Sequence, residues 1–281
     1  ITMLDTLIAA APGKPSILDR DSLRRRQTSV GITMEDLELI LHPMVEEAKE
    51  AVGSMGDDTP IAVLSEQYRG LHHFFRQNFS QVTNPPIDSL REARVMTLKT
   101  RLGNLGNIMD QAEGQCHLLQ LESPVLLTAE YEAMRYHMGE SAVLVDCHFD
   151  PADGEHALRD AIQRIRRQAE DAVRGGAVHV ILTDENVGGA RAQIPMILAT
   201  GAVHTHLLRQ QLRTFTSLNV RSAECFDVHH LAVLIGVGAT TVNAYLAEAS
   251  IADRQARGLF GDLDLDACLA RYKVAVDQGL L

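Results

Sequence analysis

The sequence predicts an α/β fold, and three observations predict it. Short apolar runs of strand length alternate with longer stretches of helical period. Glycine pairs and single prolines punctuate the boundaries between them. Apolar residues make up 46% and charged residues 22% of 281 positions, enough to bury a substantial core.

Taken in order, residues 1–58 read as a helical lead-in with polar loops, and residues 59–281 as the α/β body. Ile61 to Leu64 is the first strand-like run. A helix is expected from Ser65, its N-cap, with Leu71, Phe74, Phe75 and Phe79 on the face turned to the core. Asn84-Pro85-Pro86 then forces a stiff extended loop, because each proline fixes φ and Pro85 restricts Asn84. A charged, helical segment follows toward Leu98. Pro124 to Leu127, Ala142 to Val145, Val178 to Leu182 and Leu231 to Ile235 read as buried strands. The clearest helix runs from Glu155 to Arg174, where Leu158, Ile162, Ile165, Ala169 and Val173 form one apolar stripe. Gly175-Gly176 supplies its left-handed stop. Ala192 to Arg213 and Leu265 to Asp277 are further helices. Strand-helix-strand units of this length favour a parallel sheet, either doubly wound or closed into a barrel.

The formal net charge is −11, which argues against binding a phosphate backbone and so against a nucleic-acid partner. No apolar run reaches the length of a membrane-spanning helix. The opening ITMLDTLIAAAPG has a short apolar character, but Asp5 interrupts it and no basic residue precedes it, so no signal peptide is expected. Cys116, Cys147, Cys225 and Cys268 stand singly, the usage of a reducing, cytoplasmic compartment.

Three kinds of candidate site stand out. The loop Gln81 to Asp88 carries Gln81, Thr83, Asn84 and Asp88; the first three could line a passage for a small neutral molecule, or the loop could be a rigid turn that docks on a neighbour. Twelve histidines include His72-His73, His204-x-His206 and His229-His230, with Cys116-His117 beside them. Adjacent and i,i+2 histidines on a helix diverge, and no HExxH or CxxC accompanies them, so no metal site is expected. Gly236-Val-Gly238, with Thr240-Thr241, is the best of three glycine pairs for an anion; it reads as a tight turn from strand to helix. Gly103-Asn-Leu-Gly106 and Gly188-Gly189 are weaker, and none carries a P-loop lysine. No nucleophile is paired with a base, so no catalytic residue is assigned.

Several blocks together resemble the central domain of the glutamate synthase large (alpha) subunit. They are Gly31-Ile-Thr-Met-Glu-Asp36 with Pro43-Met44, Ser54 to Ser65, Gln81 to Asp88 with Arg91-Glu92, Leu212-Arg-Thr214, Val228-His-His-Leu231, and Gly236 to Leu246. His72-His73, Asn243-Ala244-Tyr245 and Thr183 to Val187 depart from the usual pattern. The resemblance implies a (β/α) barrel-like arrangement, like the neighbouring flavin barrel but without flavin. It implies a non-catalytic piece excised from a longer chain, ending where Gly279-Leu-Leu281 would run into the flavin domain. Its partners would be the glutaminase and FMN domains of that chain, and a small electron-transfer subunit or ferredoxin. The parent would carry FMN and an iron-sulfur cluster and make glutamate from glutamine and 2-oxoglutarate, and ammonia would cross inside it. The family's glutaminase nucleophile is an N-terminal cysteine; position 1 here is Ile1, so no glutaminase chemistry is expected. The competing expectations are an independent flavin or sugar-phosphate-binding barrel enzyme and a histidine-ligated metal hydrolase.

Overall fold

A computed structural model describes residues 2–3, 5–8, 18–51, 64, 66, 69–75, 88–110, 113–185 and 191–281. They form β1 (Thr2–Met3), α1 (Asp5–Ile8), α2 (Arg20–Ser29) and α3 (Met34–Asp36). A π-helical turn, Leu37–Leu41, leads directly into α4 (His42–Glu47). A 3-10 turn (Leu71–Phe74), α5 (Ser89–Val95), β2 (Thr100–Leu102) and β3 (Leu119–Leu121) come next. The remainder is α6 (Thr128–Met138), β4 (Ala142–Asp146), β5 (His148–Phe149), α7 (Ala157–Arg174), β6 (His179–Thr183), β7 (Ala192–Gln193), α8 (Met196–Arg209), β8 (Ser217–Arg221), α9 (Val228–Gly236), β9 (Thr241–Asn243), α10 (Tyr245–Ala256) and α11 (Leu265–Leu280).

The mixed α/β class expected from the alternation is what forms. β4, β6, β8 and β9 make a parallel sheet in that order, with Ala142 opposite His179, His179 opposite Ser217, and Asn219 opposite Thr241. Val125 bridges Val242 in the parallel sense, so the Pro124–Leu127 run joins the sheet beyond β9. β6 and β8 are buried along their whole length, as central parallel strands must be. The helices between them follow one another across a single layer: α7 packs on α8, and α8 on α9. The opposite face carries a second apolar cluster, in which Ile181 meets Leu102, Leu121, Leu126 and Met134.

α7 fits its expectation closely. Ala157, Ala161, Ile165, Ala169 and Val173 are buried, with Leu158 and Ile162 packed against the same core at its margin. Gly176 adopts φ +98, and the amides of Gly176 and Ala177 bond back to Val173 and Ala172, which closes the helix with a Schellman-type end.

Four expectations need correction. Leu231 to Ile235 is not a strand but the body of α9. The Asp227 side chain accepts from the His230 amide to start that helix, and Val228, Leu231 and Leu234 bury one face at helical spacing. A short apolar run fits strand and helix equally, and here the cap decides. Gly236-Val-Gly238 therefore lies between a helix and a strand, the reverse of the expected order. The amides of Val237, Gly238 and Ala239 bond back to Val233, Ile235 and Leu234, so none is left for an anion. The helix expected over 192–213 starts only after Pro195, because Ala192–Gln193 pairs with β5. The aromatic stripe also fails: Leu71–Phe74 is a single 3-10 turn, Phe74 and Phe75 are exposed, and His72 takes the buried place. Phe79 and residues 61–63 lie outside the described residues, and Leu64 is exposed.

The lead-in packs against the helix layer. Leu23, Leu37, Leu41, Met44 and Val45 are buried in the main core. Gln27 Nε2 donates to Ser250 Oγ at 2.8 Å, and Arg254, 2% exposed, donates to both Glu38 oxygens at 3.0 and 2.9 Å.

Candidate functional site

Two polar regions sit where the parallel strands deliver their C-terminal ends, the usual place for ligands in open α/β sheets. The first is built on β6, β8 and β9 and centres on Arg221, 5% exposed. Its Nε and Nη2 each donate to Glu185 at 2.8 Å, and its Nη1 donates to Asn243 Oδ1 at 2.8 Å. The guanidinium lies 4.6 Å from the Tyr131 ring centroid and 5.1 Å from that of Tyr245, a cation–π sandwich. Burial works against the Arg221 charge, but the Glu185 bonds outweigh it and hold the group firmly protonated.

Asn243 Nδ2 in turn donates to Leu126 O at 2.8 Å and to Glu248 Oε1 at 2.9 Å. Glu248 also receives the Thr128 amide and hydroxyl, so it caps α6 from another element. Burial pushes its carboxyl up to about 7. Asp184 is 1% exposed; it accepts from the Ala223 amide and Ser222 Oγ, and burial pushes it up to about 6. Beside this network, Asp146 at the end of β4 binds His148 Nδ1 and Arg191 Nη1. Arg221, stacked on Tyr131 and Tyr245, and Glu248, bonded to Thr128 and Asn243, clamp α6 and α10 to the sheet.

The second region lies past the end of β8. The loop carrying Glu224, Phe226 and Asp227, the Leu71–Phe74 turn and the π-helical stretch enclose a cavity of about 90 Å³. It brings together two histidine pairs far apart in the chain. His72 stacks on His230 with ring centroids 4.3 Å apart and planes 20° apart, and His73 lies 4.1 Å from His72. His229 Nε2 meets the His72 carbonyl at 3.0 Å. Burial, and then the neighbouring imidazoles, lowers His72 to about 2 and His230 to about 3, so both are neutral. Burial raises Glu224 to about 7 and raises Asp227. The adjacent π-turn is a feature often found where a side chain or ligand needs room.

Of the sequence candidates, Gln81, Thr83 and Asn84 lie outside the described residues. Asp88 is exposed; its Oδ1 accepts from the Leu90 and Arg91 amides at 3.1 and 3.0 Å and so starts α5. His204 and His206 diverge as expected on α8, one to Arg213 and the other to Glu170. Among the described residues no three His, Cys, Asp or Glu side chains converge on a metal centre. Cys147, Cys225 and Cys268 are buried, and burial pushes their thiols up. Arg221 itself escaped the sequence reading, because one arginine ending a strand carries no spacing signal.

Fold and polar sites together define an α/β domain with a parallel sheet whose strand ends are tied to neighbouring helices. Residues 25–281 match the family described as the glutamate synthase central domain. The chain belongs to that family. It is 69% identical over 282 residues to the large chain of glutamate synthase [NADPH] from Azospirillum brasilense, across 100% of this chain and 19% of that protein. It is 36% identical to glutamate synthase [NADH] of Saccharomyces cerevisiae, covering 89% of this chain and 12% of the relative. The ferredoxin-dependent chloroplastic enzyme of Spinacia oleracea is 39% identical, covering 83% and 14%. The chain thus spans about a fifth or less of the length of these relatives. An independent flavin barrel or metal hydrolase is not favoured by these findings.

Proposed function

We propose that this segment is the non-catalytic connecting domain of a glutamate synthase. It would hold a glutaminase domain and an FMN domain in register and contribute to the ammonia passage between them. The observation that carries this reading is the match over residues 25–281 to a domain that occupies only part of much longer relatives. The succession β4-β6-β8-β9 with helices in one layer supports a barrel-like arrangement. FMN and the iron-sulfur cluster belong to the parent's other domain. The electron donor would be a small subunit or ferredoxin, set outside this segment. The relatives' names print NADPH, NADH and ferredoxin for similar sequences here.

Gln81, Thr83, Asn84 and Asp88 are the residues assigned to the passage or to the domain junction beside it. The test uses the full-length protein with Thr83→Val and Asn84→Leu. Glutamate formation from glutamine should fall several-fold more than formation from added ammonia. Equal losses would sink the passage and leave a docking loop. Absorbance of this segment purified alone, after incubation with FMN, should stay featureless in the visible; stoichiometric flavin would end the connecting-domain reading.

A further inference from the structure

Arg221 and Arg254, both buried, are each answered by a carboxylate, Glu185 and Glu38. Arg213, half-buried at the other end of the strands, is not. Its Nε donates to His204 Nδ1 at 3.0 Å, its Nη1 to Thr216 O at 2.7 Å, and its Nη2 to Gly238 O at 2.9 Å and Thr240 Oγ1 at 3.2 Å. Thr216 and Thr240 immediately precede β8 and β9, so the guanidinium is fixed at the N-terminal rim of the sheet. All four acceptors are neutral, and among the described residues no carboxylate pairs with the group. Such bonds hold a guanidinium in place but leave its unit charge unanswered. Burial lowers the Arg213 pKa with nothing to restore it; at Arg221 burial pulls the same way and Glu185 overrides it. His204 has spent Nδ1 as an acceptor, so its Nε2 carries the proton as a further donor.

The same rim is apolar on its outer side. Leu208 and Phe215 flank Arg213 in the chain and are exposed. The Leu105 amide donates to Thr214 O at 2.8 Å, which lays a second loop alongside, with Ile108 exposed and Met109 85% exposed. A pre-positioned arginine among aromatic and aliphatic side chains is the composition of an interface centre. What it lacks is an acid. A free anion would leave the apolar side chains in water, whereas a protein surface can answer both. This chain spans about a fifth of its Azospirillum relative. Other domains of one polypeptide meet such a rim at a high effective concentration, which a separate molecule would have to match.

Resting on the connecting-domain reading, we propose that this rim is the face on which another domain of the same polypeptide docks, bringing a carboxylate to Arg213 within an apolar surround of Leu208, Phe215, Ile108 and Met109. Two measurements on the full-length protein test it. Under hydroxyl-radical footprinting, Met109 and Phe215 should oxidise several-fold more slowly than in free peptides of the same sequence, and the protection should not change on dilution. Arg213→Lys keeps the cation and supplies an amine that a carbodiimide couples to a carboxylate in contact. Mass spectrometry should then find position 213 joined to an aspartate or glutamate outside residues 1–281, and mixed isotopic labelling should place both ends in one polypeptide. Oxidation of Met109 at the free-peptide rate, protection lost on dilution, or a link that joins two copies or returns to this segment would overturn the rim. If Arg213→Lys fails to fold or forms no link, the wild-type footprint decides. Failure here leaves the connecting-domain reading to its own glutamine and flavin tests, which do not touch this rim.

Discussion

The Arg221 cluster and the His72–His230 cavity lie close along the same sheet edge, yet they solve burial in opposite ways. Around Arg221 every buried charge is paired, stacked or hydrogen-bonded, with Glu185, Asn243, Tyr131 and Tyr245 sharing the guanidinium. Around His72 and His230 the groups are neutral and three nitrogens have no partner. A charge can be buried only when its partners are in place, whereas an imidazole can shed its proton and stay. The first arrangement is rigid and costly to break. The second is tolerant, and leaves room.

The largest expected effect breaks the first region. Arg221→Met should destabilise the domain by about 2–3 kcal/mol, because it strands the buried Asn243 oxygen and removes a charged hydrogen-bond hub, while the half-exposed Glu185 regains water. Urea unfolding followed by near-UV circular dichroism measures it. A loss under about 1 kcal/mol would mean that the network is not a clamp. Arg221→Lys should still cost about 1–3 kcal/mol, because lysine supplies neither the bidentate fork nor the stacking.

Next in size is an opposition in pH dependence. Asp184 and Glu248 have carboxyls raised to about 6 and about 7 in the fold. The folded state then holds more protons than the unfolded one, so stability falls as pH rises from about 4 toward 7. His72 and His230 are lowered in the fold, so the unfolded state binds protons first, and stability falls as pH drops below their ordinary value of 6.5. Glu248→Gln should remove part of the loss between about pH 4.5 and 7, where it works against the histidines, and leave the acid arm below about pH 4, where the histidines dominate. If both arms move together, the two regions are one coupled system and the contrast fails.

The smallest effect has the opposite sign. His72→Phe keeps a ring stacked on His230 and deletes an unpartnered nitrogen. It should stabilise the domain by about 1 kcal/mol, the lower end of the cost of an unmet buried polar atom. It should also lift the acid arm. A loss instead would show that the nitrogen has a partner in solution.

Much of this was legible in the sequence, for reasons that differ by element. α7 declared itself through five core positions at helical spacing and a glycine pair at its end. β6 was visible as an apolar run because a central parallel strand is buried on both faces, and β4, first in the sheet order and only partly buried, still showed in the apolar run Ala142 to Val145. β8 and β9 were missed because Asn219, Arg221, Thr241 and Asn243 are polar; Thr241 bonds Asn219 and Arg221 bonds Asn243 across the two strands, partners that only the folded sheet brings together. α9 was misread because the signal separating it from a strand is one capping carboxylate. The histidine pairs were noticed, but 157 residues separate His72 from His229, and nothing local shows that they meet. The family resemblance rested on blocks such as Gly31–Asp36 and Val228–Leu231, and the match over residues 25–281 agrees with it.

The final helix carries a consequence for synthesis. From α11, Arg271 binds the carbonyls of Val45 and Glu46, Tyr272 donates to Phe226 O at 3.0 Å, Lys273 donates to Val125 O, and Ser123 donates to Asp277 at 2.6 Å. One helix, made after all the elements it touches, thus fastens the early helices, the loop after β8 and the sheet's outer edge. At about 5–20 residues per second, the chain waits roughly ten seconds or more between making Val45 and making the arginine that secures it. Until then α4 has its apolar side uncovered, and the nascent domain is held open by its own order of manufacture.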